Sequence, residues 1–295
     1  MGCQSTCLRK GHRNCIGSLN IYRKQGLQIM HIHSKWHSLM GCIAILLILV
    51  FWHFTYESFC WAWVFVIFIL APILYGQFEY FVQYRKCRAN CLFEKNSWLY
   101  CWLTKRPLIF IRSLLIATPL ALAVMSFVAL ATGMDVWFIM LATAMTLTLY
   151  PILLKVLQKH VTQSMLDIIS KRFVVVITMI AMLLIYSVFS YFSISVPAYL
   201  DPTSLENTVN EASQGVGSVC PTTNYFLKFM REVDAAGWYS MLIANRSIQN
   251  EPSIFLLWLL FFIHHAFVFA GFSRAQVEVM SRIKQLSTSG DHDEK

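Results

Sequence analysis

The sequence predicts an all-α integral membrane protein, a bundle of about six transmembrane helices with the N-terminus and the C-terminus both cytoplasmic. Composition is the first observation behind this. Of the 295 residues, 57% are hydrophobic and 13% are charged, and mean hydropathy is +0.55. A soluble domain carries about a quarter charged residues, so this chain has too little polar surface to coat a water-soluble globule. The second observation is that the apolar residues gather into stretches close to the ~20 residues that cross a hydrocarbon core. The third is that lysine and arginine fall in alternate connections between those stretches.

The stretches are Ser38–Tyr56, Ser58–Tyr75, Leu108–Ala131, Val136–Leu154, Phe173–Ser193 and Ser253–Phe272. Hydrocarbon does not tolerate unpaired backbone groups, so each is expected to be helical. The alternating segments of about ten residues that mark a membrane barrel are absent.

Orientation follows from charge. Arg9, Lys10, Arg13, Arg23, Lys24 and Lys35 precede the first stretch, and Arg85, Lys86, Arg88, Lys95, Lys105 and Arg106 join the second to the third. Lys155, Lys159, Lys171 and Arg172 join the fourth to the fifth. Basic residues resist translocation, and threading six spans puts all three groups on one face, the cytoplasmic one. The net charge of +9 is thereby assigned to topology, and no nucleic-acid partner is expected.

The expected organisation has a basic cytoplasmic segment at 1–37, of which 1–29 reads as disordered, and a six-helix transmembrane domain at 38–273. Within that domain, 76–107 is an aromatic and basic cytoplasmic segment and 197–252 an external one. Residues 274–295 form a cytoplasmic amphipathic extension and tail, in which Glu278 is placed to pair with Arg282 four residues on. Trp98 and Trp102, one helical turn apart beside Lys105 and Arg106, fit interfacial anchors. In the tight turn between spans three and four, Gly133 can supply a positive φ and Asp135 can cap the next helix. Ser113, Ala117 and Ala121 recur every four residues and predict a close helix–helix seam. In the external segment a helix is expected over Tyr225–Ala236, ended by Gly237.

The chemistry-bearing candidates are few. His264 and His265 lie near the middle of span six, where ionisable groups are costly and face a bundle interior or a cavity. Adjacent helical residues diverge by about 100°, so the two imidazoles cannot serve one small site. Thr143, Thr146 and Tyr150 share one side of span four and complete a candidate intramembrane polar site. Cys3, Cys7, His12 and Cys15 are a weak zinc constellation whose spacing matches no strong signature, so no metal is assigned. Cys220 is expected to stand alone outside, which argues against a disulfide framework.

Phosphate-binding glycine loops, zinc-protease helices and nucleophile elbows are all missing from the sequence, and no catalytic residue or cofactor is expected. The leading expectation is a non-enzymatic multipass subunit, a scaffold or assembly component of a larger membrane complex for secretion, transfer or transport. The alternative is a small channel or carrier with a polar path near spans four and six. The expected partners are the lipid bilayer and other membrane proteins or further copies of the chain, in a bacterial inner (plasma) membrane.

Overall fold

The computed structural model describes residues 27–92, 106–193, 197–244 and 252–290. Among the described residues the regular structure is helical, with no strand. The chain runs α1 (Leu27–Thr55), a 3₁₀ turn (Cys60–Ala62), α2 (Trp63–Leu92), α3 (Arg106–Ala129), α4 (Gly133–Leu157), α5 (Gln163–Ser193), α6 (Leu205–Gln214), α7 (Pro221–Ala244) and α8 (Pro252–Gly290).

Four segments are long and apolar enough to cross a membrane: Cys60–Gln83, Arg106–Ala129, Gly133–Leu157 and Met165–Phe189. Leu39–Thr55 adds a shorter apolar helix. The first turns of the stretch expected at Ser253–Phe272 lie outside the residues whose side chains are described. The apolar segments turn much of their hydrophobic surface outward, with Leu115 71%, Leu184 62% and Ile67 62% exposed. A water-soluble protein does not present such a continuous apolar exterior, whereas lipid solvates it. This is the arrangement of a membrane protein.

The polar residues go the other way, into α8. That helix is the hub of the bundle and packs against α1, α2, α3, α4, α5 and α7. From Gly271 to Ser281 nearly every side chain is buried, including Ser273, Arg274, Gln276, Glu278 and Ser281. Residues 274–281, the start of the region anticipated as an amphipathic extension, therefore continue the same unbroken helix and are enclosed by its neighbours. The reason is electrostatic as much as apolar, because the partners of its charges lie on the surrounding helices.

Backbones approach closely at two glycines. A Cβ on Gly271 would sit 2.7 Å from the carbonyl oxygen of Leu120 and 2.9 Å from Val124 Cγ2, so α8 lies directly against α3. A Cβ on Gly76 would collide with the Glu278 carboxylate, so α2 leaves space for that side chain. Ser113, Ala117 and Ala121, whose spacing predicts a seam on α3, are all buried. The Ser113 hydroxyl bonds within its own helix, donating to the Ile109 carbonyl at 2.8 Å.

Two local expectations are corrected. Gly133 adopts no left-handed conformation; among the described residues no glycine has a positive φ. The turn closes instead through the Asp135 carboxylate, which accepts from Thr132 N and Oγ1 at 2.8 Å each and caps α4. Gly237 does not end the helix expected from Tyr225, for α7 runs on to Ala244. The residue is small for packing, since a Cβ there would lie 2.7 Å from the Phe261 ring.

Gly271→Ala is expected to force α8 off α3, lowering stability by about 1–3 kcal/mol as overpacking does. Gly133→Ala, where a Cβ meets nothing within 4 Å, is expected to be neutral. Thermal melts of the two detergent-purified variants check both, and equal melting temperatures would contradict the close approach.

Candidate functional site

Polar chemistry collects at two ends of α8. At the end carrying α6 and α7, a cavity of about 770 Å³ opens between α3, α4, α5, α7 and α8. It is lined by His264 and His265 and by aromatic rings including Trp137, Phe138, Tyr186 and Trp238. The charged lining comes from Asp135, Arg231 and Asp234.

The two histidines do different things, as their angular divergence requires. His265 is 1% exposed. Its Nδ1 lies 2.9 Å from the Phe261 carbonyl, so that nitrogen carries the proton and donates. The ring stacks on Tyr186 with centroids 4.5 Å apart and meets Phe127 edge-on. His265 thus lines the cavity as an aromatic element. His264 stands perpendicular to it, with ring centroids 5.2 Å apart, and lines the cavity on the less enclosed side.

Opposite His264, α7 and the segment before α6 build a small polar cluster. Arg231 lies 3.5 Å from the Asp234 carboxylate and 4.6 Å above the Tyr199 ring. Tyr199 and Asp234 thus flank the Arg231 guanidinium together. Burial pushes the Asp234 carboxyl up to about 6, opposed by the guanidinium of Arg231 and reinforced by the negative charge of Asp135. Burial and the Asp234 carboxylate likewise raise the Tyr199 phenol, so it remains a hydrogen-bond donor.

At the opposite end of the bundle, charges are interleaved between helices. Lys171 of α5 is 1% exposed; its Nζ lies 2.7 Å from Asp167 Oδ2 and 3.0 Å from Glu278 Oε2 of α8. Arg274 Nη2 lies 3.0 Å from the other Glu278 oxygen. Tyr150 of α4 donates to Asp167 at 2.7 Å and Ser281 donates to it at 3.2 Å. Glu79 of α2 lies 4.0 Å from Arg282, whose guanidinium covers the Tyr75 ring at 3.7 Å. Next to these charges, Gln276 Nε2 donates to Thr143 Oγ1 at 2.9 Å.

The polar site expected from sequence is therefore divided. His264 and His265 face the cavity; Thr143 meets Gln276, and Tyr150 joins the ionic network. Thr146 is buried and bonds only its own helix, donating to the Ala142 carbonyl at 2.8 Å. Gln276 is twelve positions beyond His264 in the sequence, about 18 Å along a helix. Glu278, which sequence spacing offered to Arg282, is drawn to Lys171 and Arg274 because α5 places an ammonium beside it. Arg106 is exposed at the start of α3; Trp98, Trp102 and Lys105 lie outside the described residues, as do Cys3, Cys7, His12 and Cys15. Among the described residues no group of histidine, cysteine and acidic side chains is arranged to hold a metal ion.

Sequence reasoning missed Tyr199, Arg231 and Asp234 at the cavity, and the Asp167–Lys171–Glu278–Arg274 network. The signals were two same-helix pairs at i,i+4, Asp167 with Lys171 and Arg274 with Glu278. Each reads alone as an ordinary surface pair, and only the packing of α5 on α8 makes them one buried cluster.

Compared with known proteins, the chain matches no family model, no curated protein and no solved structure.

Removing one partner of a buried ionic cluster costs about 3–5 kcal/mol, because the opposite charge is left unpaired in a poor solvent. Lys171→Met is accordingly expected to lower stability by that amount, and Lys171→Met with Glu278→Met to recover a good part of it. Melting curves of the two single variants and the double variant measure the coupling; additive losses would mean that the charges do not interact. A second expectation concerns pH. A carboxyl raised from 3.8 to about 6 in the folded state holds its proton more tightly there than in the unfolded chain. Its contribution to stability is full below about pH 4 and is lost as pH rises to about 6.5. Asp234→Asn should flatten that part of the melting-temperature profile and stabilise the protein above it.

Proposed function

We propose that the chain is a carrier for a small organic cation, crossing the membrane six times with both termini cytoplasmic. The cavity then opens to the outside and the ionic network lies near the cytoplasmic border. This orientation rests on the distribution of lysine and arginine along the sequence, and a bacterial inner membrane is the setting it suits.

One observation carries the reading, the cavity that reaches from the α6–α7 end to His264 and His265 in mid-helix. Its volume of about 770 Å³ falls within the range of small-molecule sites, about 300–1,000 Å³. Two carboxylates, Asp135 and Asp234, face one guanidinium, that of Arg231, which already lies against Asp234 and the Tyr199 ring. The lining is thus net acidic above the Asp234 titration. Aromatic rings of Trp137 and Trp238 suit a cation held by ring quadrupoles as well as by charge. His264 adds an imidazole able to accept or donate a hydrogen bond beside the bound ligand.

Below His265 the path is closed by packed rings, Phe127, Tyr186 and Phe269, and beyond them by the ion pairs around Lys171. A cavity open on one side with a separable ionic closure on the other is what alternating access requires. The assembly-component reading draws on segment 76–107, of which 93–105 lies outside the described residues; the cavity favours the carrier.

Titration of the purified protein with tetraalkylammonium ions at pH 7.5 tests this, read by the fluorescence of Trp137 and Trp238. Saturable quenching is expected, weakened about tenfold by Asp234→Asn. Counterflow in proteoliposomes should follow the same selectivity. Equal response to organic anions and cations would sink the cation assignment, and binding without counterflow would sink the carrier.

A further inference from the structure

Two cysteines that the sequence places 160 positions apart lie side by side at the cavity end of the bundle. Cys60 opens the 3₁₀ turn before α2 and is exposed. Cys220 sits immediately before Pro221, the first residue of α7, and its carbonyl accepts from Asn224 N at 2.9 Å. It is therefore the residue that begins the helix. The expectation that Cys220 stands alone is overturned, because the segment 218–223 docks along residues 56–63. Ser218 Oγ donates to the Tyr56 carbonyl at 2.7 Å, Val219 N to the Glu57 carbonyl at 2.9 Å, and Trp63 Nε1 to Thr223 Oγ1 at 2.8 Å. These three bonds bracket Cys60 on one segment and Cys220 on the other, and so bring the two thiols together.

We propose that Cys60 and Cys220 form a redox-active dithiol which, when oxidised, closes a covalent latch between α7 and the turn joining α1 to α2. The oxidant class is a low-molecular-weight disulfide. The exposed Cys60, once deprotonated, attacks one sulfur of that disulfide; the bond between its two sulfurs breaks, and one small thiol leaves with a proton from solvent. Cys220, as thiolate, then attacks the Cys60 sulfur and expels the second small thiol. Two protein thiols are oxidised and one small disulfide is reduced to two thiols. The site favours the second step. Cys220 begins α7, where the neighbouring Cys60 thiol and the first backbone amides of the helix, those of Thr223 and Thr222, hold its thiol below the usual range.

The latch has a structural consequence. Met230, Arg231, Asp234 and Trp238, which form one wall of the cavity, all belong to α7. Oxidation ties the start of that helix covalently to the bundle, and reduction leaves it held by hydrogen bonds and packing such as that of Phe226 on Trp63. The pairing stands whether or not the cavity carries an organic cation, since it needs only the docking of 218–223 on 56–63.

Equilibrating the full-length protein in detergent with oxidised and reduced glutathione, trapping with an alkylating reagent and mapping peptides without reduction tests the pair. The expected result is a cross-linked Cys60–Cys220 peptide and a melting temperature about 5 °C above that of the dithiothreitol-treated protein. The difference should vanish in both Cys60→Ser and Cys220→Ser. The proposal is overturned if glutathione remains attached to Cys60 with no cross-linked peptide. It is equally overturned if the Cys60→Ser protein keeps the full redox-dependent difference in melting temperature.

Discussion

Charged side chains buried in the middle of a helical bundle need partners, and this need fixes the position of α8. Glu278 is 1% exposed and Arg274 6%. Neither could be buried alone, because an unpaired ion in a poor dielectric costs several kcal/mol. The Lys171 ammonium of α5 supplies the neutralising charge, and α2 supplies room for the carboxylate at Gly76. A shift of α8 by one residue would turn Glu278 by about 100°, away from the ammonium and out of that space. Apolar packing against lipid-facing helices has many near-equivalent registers; the ionic network has one.

The rest of the bundle is consistent with that register. Gly271 faces the Leu120 carbonyl seven residues before Glu278, and Phe261 packs on Gly237 seventeen residues before it. The same helix thus carries a charge-determined contact at one end, a backbone contact in the middle and a ring contact on α7 at the other. His264 lies fourteen residues before Glu278, about 21 Å along a straight helix. The cavity floor and the ionic closure are consequently two ends of one rigid element, and displacement of α8 at one end is felt at the other.

What was legible in the sequence is what depends on composition and local periodicity. Helix class, the outward apolar faces and the burial of Ser113, Ala117 and Ala121 on α3 follow from residue type and spacing. So does the division of labour between His264 and His265, since a 100° divergence between neighbours is intrinsic to the helix. The burial of Lys171, Arg274 and Glu278 was not legible, because charged residues beyond an apolar stretch read as solvated loops. Gly237 misled for a similar reason. As a helix terminator and as a seat for another helix's phenylalanine a glycine looks the same, and only the approach of Phe261 separates the two. Cys60 and Cys220 likewise belong to segments that meet only in the folded chain.

The cavity also depends on what it lacks. Transmembrane sites often hold their ligand with a carboxylate on a spanning helix, but here the acids that face the cavity sit at its rim. Asp135 belongs to the cap of α4 and Asp234 to α7 outside the apolar spans. The groups at the floor are imidazole and aromatic. In the proposed carrier, charge would attract a cation at the mouth, while ring faces and His264 would read the depth of the site. Such a gradient, from carboxylate to aromatic, favours entry of a cation without trapping it in an ion pair at the floor. A ligand held mainly by rings can leave when α8 and its neighbours shift. A second full charge beside His265 would have bound more tightly and released more slowly, and it would also have required another buried counter-ion in a helix whose burial of charge is already concentrated around Lys171.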